Sequence, residues 1–208
     1  MGSACAISIQ GAHHATVRGE DGDYMANTGR MVALALVAGA ILAGPRVSAH
    51  AQEITPNLAP PSHVRSFSPS MASVIQQAGK RSATFRRLVE TIDASDSYVY
   101  VNEGECLRDN RACLVNVTTA GPYRFIFVHV ATHKADWDLM GSIGHELRHT
   151  IEVIDNPSVT SLRTMRSLYE SIGYQNFRNS NSYETVAAVA AGHAVRDEVR
   201  AFIRRGKP

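Results

Sequence analysis

The chain has 208 residues, of which 44% are hydrophobic, 7% aromatic and 19% charged, with a formal net charge of +2. Those proportions fit an ordinary globular domain. The basic residues are scattered, with no Lys/Arg block or aromatic-interleaved patch, which argues against nucleic acid as the main partner.

Taken in chain order, the first signal is one of targeting. Arg30 precedes the apolar run Met31–Ala43, followed by Gly44-Pro45 and then Ala49-His50-Ala51. A positive flank, an apolar core of 13 residues and an A-x-A site predict a secretory signal peptide cleaved after Ala51. The rival reading, an uncleaved membrane anchor, needs about 20 apolar residues to span a bilayer. No Cys follows the run, which argues against a lipoprotein. A signal peptide starts close to its charged region, so Met25 is the expected translation start, with MANTGR as the n-region. The expectation is an exported protein, periplasmic or extracellular, whose leader is residues 1–51 and which has no membrane attachment after cleavage. Cys5 lies in that leader, leaving Cys106 and Cys113. An even pair in an exported chain reads as a disulfide closing a small loop, and its spacing does not suit a C-x₂₋₄-C metal pair.

Residues 52–69 carry four prolines and few large apolar residues, which predicts an extended tether. The domain is expected over 70–208. Met71, Val74, Ile75, Ala78, Phe85, Leu88, Val89 and Ile92 have helical spacing, with a break near Gly79-Lys80. The period then falls to two, with Tyr98, Tyr100 and Asn102 on one face and Val99 and Val101 on the other. Leu114–Thr119 and Tyr123–Val130 read as further strands around a Gly121-Pro122 turn. Short connections predict a three-stranded antiparallel meander. Asp136-Trp137-Asp138 opens a helix whose apolar stripe is Leu139, Ile143, Leu147, Ile151 and Ile154, stopped by Asn156-Pro157. Helices over Ser158–Ile172 and Tyr183–Arg204 follow, with polar residues between them. The class is α+β: one or two N-terminal helices, a meander, then three helices.

The middle helix carries His145-Glu146-Leu147-Arg148-His149. With 9 His among 208 residues, an H-E-x-x-H pattern is expected about 0.02 times per chain by chance. Histidines four apart rise about 6 Å along a helix and share a face, so both can hold one zinc ion while Glu146 acts as base on a zinc-polarised water. Leu147 lies about 200° around from His145, so the stripe packs on the core and the histidines face a cleft. A catalytic zinc needs a third protein ligand. The third-His pattern fails, because positions 152 and 155 are Glu152 and Asp155. Glu152 shares the histidine face but sits about 10.5 Å along the axis from His145, so it belongs behind the ligands or on the surface. Glu184 is the better candidate, on a helical face with Ala187, Ala188, Ala191 and Val195, where a buried carboxylate needs a partner. Two alternatives stay open: Asn181-Ser-Tyr-Glu184 as a capping box, and Glu170 as the ligand. Tyr183, Tyr174 and His193 are candidates to steady an oxyanion, and Tyr123–Val130 to bind an extended peptide as an edge strand. His129 and His133 read as surface histidines.

HELRH with a Glu ligand further on resembles the gluzincin class of zinc metallopeptidases. The resemblance implies one Zn²⁺ held by His145, His149 and Glu184, with Glu146 as general base. The stretch from the Cys pair through GHELRHTIEV to SYETVAAVAAG also resembles a group of small exported bacterial proteins of unassigned function, covering most of residues 95–200. It implies a zincin-like fold and no substrate. Gluzincins often carry an acid four residues after the Glu ligand to orient the first His; here that position is Ala188, leaving Asp155, Glu152 or a backbone carbonyl for the role. The expectation is an exported zinc-dependent peptidase acting on a peptide or protein. The alternatives are a catalytically silent module of the same fold that binds a peptide or envelope partner, and an accidental surface helix, against which the apolar stripe argues. Neither the substrate nor the oligomeric state is readable from these residues.

Overall fold

The structure is a computed structural model describing residues 7–8, 61–106, 110–132, 136–175 and 182–206, all within one unit of the chain. The signal peptide, the Met25 start, Cys5, residues 52–60 of the tether, His133 and Asn181 lie outside the described residues.

The first helical stretch forms α1 (Pro69–Arg81) and α2 (Ala83–Asp93). Their break falls at Ser82, not at Gly79-Lys80. Ser82 is extended at φ −132°, ψ 123°; its N–H closes α1 on the Ala78 carbonyl and its Oγ accepts from the Phe85 N–H to open α2. Glu198 holds this corner, accepting from Ser82 Oγ at 2.6 Å, the Thr84 N–H at 2.9 Å and Thr84 Oγ1 at 2.7 Å.

The main sheet departs from the expected meander. It comprises β2 (Val64–Arg65), β3 (Ser97–Glu103), β4 (Ala112–Ala120) and β5 (Tyr123–Val130) in the order β2-β3-β5-β4. β2, β3 and β5 are parallel, and only β4 runs antiparallel. The β4–β5 hairpin turns at Gly121, whose φ of 57° suits a residue without Cβ. β5 takes the centre because Ile126, Val128 and Val130 are buried and its backbone pairs on both sides. β4 tolerates the edge, since Asn116, Thr118 and Thr119 are exposed. Tyr123–Val130 is therefore not the edge strand expected from sequence. Cys106, beyond the end of β3, and Cys113, in β4, lie at disulfide distance, Sγ–Sγ 2.05 Å. Val64 is in the core, so the fold reaches back into the stretch read as tether.

One sheet face packs on helices through Val99, Val101, Ile126 and Val128. The other carries cross-strand aromatic pairs, Tyr98–Phe125 and Tyr100–Phe127, each with centroids 5.7 Å apart. α3 (Asp136–Ile154) is buried around nearly its whole circumference, not on one side as its stripe suggests. Side chains from other elements anchor it near both ends. Asp138 in the first turn pairs with Arg111 and, at 2.9 Å, with Arg196. Arg124 on β5 donates to the carbonyls of Val153 and Ile154 at 3.0 Å and of Asn156 at 3.3 Å.

α4 (Leu162–Ile172) starts later than expected, at a reciprocal cap between Ser161 and Thr164. β6 (Tyr174–Gln175), β7 (Ser182–Glu184) and β1 (Ile7–Ser8) form a small antiparallel sheet in the order β1-β7-β6. α5 (Val186–Arg205) closes the fold. The last helix thus begins after Glu184, because Thr185 is its N-cap, with Oγ1 accepting from the Ala188 N–H at 3.1 Å. α3 and α5 approach closely at glycines: a Cβ on Gly192 would lie 3.0 Å from His145 Cβ and 3.2 Å from the Gly141 carbonyl oxygen. The class is α+β with a mixed sheet. No helix among the described residues is long and apolar enough to cross a membrane.

Candidate metal centre

His145 and His149 come from the middle of α3, and Glu184 from the last residue of β7. Strand alternation, not helical periodicity, turns the Glu184 carboxylate inward. The capping alternative fails because Thr185 supplies the cap, and Glu170 fails because its side chain is exposed.

His145, His149 and Glu184 are 3%, 0% and 1% exposed, and one ligand atom from each lies within 4.8 Å of the others. Glu184 Oε2 is 3.1 Å from His145 Nε2 and 3.9 Å from His149 Nε2. None of these atoms makes a hydrogen bond, nor does Glu184 Oε1. Buried polar atoms without partners are destabilising, and a cluster of them calls for something to bind. A tetrahedral zinc with 2.0–2.2 Å bonds separates its donors by about 3.3 Å, so these spacings suit one ion. The donor set, two imidazoles and a carboxylate, suits zinc as well.

The electrostatics point the same way. Burial, aided by Arg196, pushes His145 down to about 3. Burial likewise holds His149 below its ordinary range, against the pull of its Glu152 hydrogen bond. Burial pushes Glu184 up to about 8, opposed by His149 and reinforced by Glu152. Without a cation, the His145–Glu184 contact is between neutral groups and is not an ion pair. Both imidazoles then keep a lone pair for a metal.

Glu152 sits behind the site. One oxygen meets His149 Nδ1 at 2.9 Å and the other accepts from Thr185 Oγ1 at 2.7 Å. Burial opposes its ionisation, but the His149 and Thr185 contacts outweigh that and hold it low. A carboxylate on Nδ1 fixes that nitrogen as the protonated one and leaves Nε2 free toward Glu184. Sequence placed Glu152 behind the ligands but offered it to His145; it serves His149. Asp155, the other candidate, is exposed.

Thr185 and Tyr169 escaped the sequence reading. Tyr169 Oη donates to the His149 carbonyl at 2.8 Å, and its ring meets the His149 ring edge-on at 5.3 Å. Thr185 could have been found as an N-cap residue ahead of an alanine-rich helix; nothing local marks Tyr169. Of the oxyanion candidates, Tyr183 is buried in β7, on the strand face opposite Glu184, while Tyr174 and His193 are exposed. Glu146 is wholly buried beside His145 in α3. No family model matches this chain, and no curated protein or solved structure matches it either.

Proposed function

We propose that this chain is an exported zinc-dependent hydrolase, a metallopeptidase cutting peptide or amide bonds. The carrying observation is the convergence of three buried ligand side chains, with four unpartnered atoms among them, around a helix that also bears Glu146. The single antiparallel edge strand β4 and the central β5 leading into α3 support a zincin-like arrangement.

His145, His149 and Glu184 would hold the ion. An ion such as zinc held there would supply an acidified water and polarise a scissile carbonyl. Glu146 takes the proton from the attacking water and passes it to the leaving amine, the role of a carboxylate next to a ligand in H-E-x-x-H. Glu152 and Thr185 hold His149 in the ligating tautomer. Burial of the whole set excludes bulk water and strengthens each electrostatic contact.

The complete burial of Glu146 favours a second reading, a catalytically silent module of the same fold that binds a peptide or envelope partner. One experiment separates the two. Metal content is measured together with cleavage of a peptide library, for the parent chain and Glu146→Gln. The peptidase reading expects about one zinc per chain in both and cleavage in the parent alone, down at least about a hundredfold in the variant. No cleavage in either would move the chain to the silent module, and no zinc would remove the peptidase reading.

A further inference from the structure

Glu184 has a neighbour that keeps contact with solvent. β6 pairs antiparallel with β7, Tyr174 directly opposite Glu184 and Gln175 opposite Tyr183. Residues opposite one another in a ladder point to the same face, with Cβ atoms about 5 Å apart. Tyr174 therefore stands beside Glu184 on the face that bears the carboxylate, yet it is 47% exposed where Glu184 is 1% exposed. Gly173 lets the two strands close up: a Cβ there would lie 2.8 Å from the Tyr169 carbonyl oxygen and 3.0 Å from that of Glu184. The surroundings of the pair are apolar. Among the described residues six large apolar side chains are exposed, and three of them gather here. They are Tyr174 itself, Ile172 two positions before it, and Val186 two positions after Glu184. Exposed apolar residues scattered singly need no explanation, but a group beside buried ligands does. Apart from Glu184, no charged residue occurs within two positions of either member of the pair.

We propose that Ile172, Tyr174 and Val186 form an apolar wall beside the metal centre. It takes a large uncharged side chain of a peptide substrate, aliphatic or aromatic, next to the bond to be cut. Tyr174 is the specificity-determining residue, because its pairing sets it against the ligand Glu184. The proposal rests on the peptidase reading above. A peptide carbonyl held at the ligand set brings the neighbouring side chain within reach of the residue opposite Glu184. An apolar side chain gains there by leaving water. A charged one would give up hydration with no counter-charge in return. This role differs from that of an oxyanion donor. The wall uses the ring of Tyr174 and not its hydroxyl, so phenylalanine can replace it.

The test compares binding of two metal-directed probes, N-acetyl-leucine hydroxamate and N-acetyl-glycine hydroxamate, to the full chain supplied with zinc. Titration calorimetry reads the affinities for the parent, for Tyr174→Phe and for a Tyr174→Ser, Val186→Ser variant. The leucine probe should bind the parent at least about tenfold more tightly than the glycine probe, the gain from covering one aliphatic side chain. Tyr174→Phe should keep that preference and the double variant should lose it. Both substituted positions are exposed, so zinc content should be the same in all three proteins. Equal affinity of the parent for the two probes, including binding of neither, overturns the proposal. So does a preference that survives the double variant. Zinc lost from the double variant would make these residues supports for β7, which overturns it too. Cleavage of the peptide library by the parent is read alongside. Preference without cleavage removes the peptidase reading and leaves the wall, whereas cleavage without preference does the reverse.

Discussion

Glu152 joins the motif helix to the start of α5, and its two contacts make separate demands. The His149 contact orients a ligand; the Thr185 contact ties that orientation to the residue next to Glu184. Glu152→Ala should lower zinc affinity about 10–100-fold, read by competition with a chelating dye, with Glu152→Gln losing less because its amide oxygen still accepts from Nδ1. Equal affinity in all three proteins would reduce Glu152 to packing. Glu184 yields a prediction in stability. Its folded-state value of about 8 lies above the ordinary 4.5, so between those limits the metal-free folded state holds more protons than the unfolded one. Stability of the metal-free protein should therefore fall as pH rises from about 4.5 to about 8. Glu184→Gln should flatten that slope and stabilise the metal-free protein at pH 7 while abolishing zinc uptake. Chemical denaturation in chelator across this range checks it; an unchanged slope in the variant would remove Glu184 as its source.

At the scale of elements, the corner between α1 and α2 depends on a carboxylate from α5. Ser82 and Thr84 present three donors to Glu198, and although burial opposes its ionisation, those hydrogen bonds hold its carboxyl below the ordinary range. A depressed carboxyl contributes stability above its unfolded value and loses it as pH falls through the folded one. Glu198→Ala should thus destabilise by about 1–2 kcal/mol at pH 7, discounted for its partial exposure. The difference from the parent should shrink toward pH 3, as thermal melts at the two pH values would show. This corner also explains why the helix break was misplaced in sequence. Gly79 is a weak helix former, yet an N-cap serine with a long-range partner decides where the turn falls, and Glu198 is not visible from the local pattern. The same holds for β7. Local spacing carried the last helix back through Glu184, while pairing with β6 made that segment a strand and Thr185 the cap.

Across the whole molecule, a bound ion would tie the middle of α3 to β7, elements far apart in sequence, so binding should be felt globally. Free zinc at about a thousand times Kd adds about 4 kcal/mol to unfolding free energy. Calorimetry should show that rise for the parent chain, its loss in chelator and its absence in His149→Ala; a zinc-independent Tm would count against the centre. The sequence by itself determined the α+β class, the strand and helix stretches, the cysteine pair and the HELRH face, because these follow from periodicity and from chemistry within a few residues. It also singled out Glu184, though by helical reasoning that does not hold. Tertiary structure alone decided that β5, not β4, lies in the middle of the sheet, since sheet order depends on which strand buries both neighbours' edges. It alone decided that α3 is buried on nearly every side, that Glu152 serves His149, and that Glu184 reaches the histidines from a strand. Those are pairings between distant segments, and a local pattern fixes the face a residue shows but not what comes to meet it.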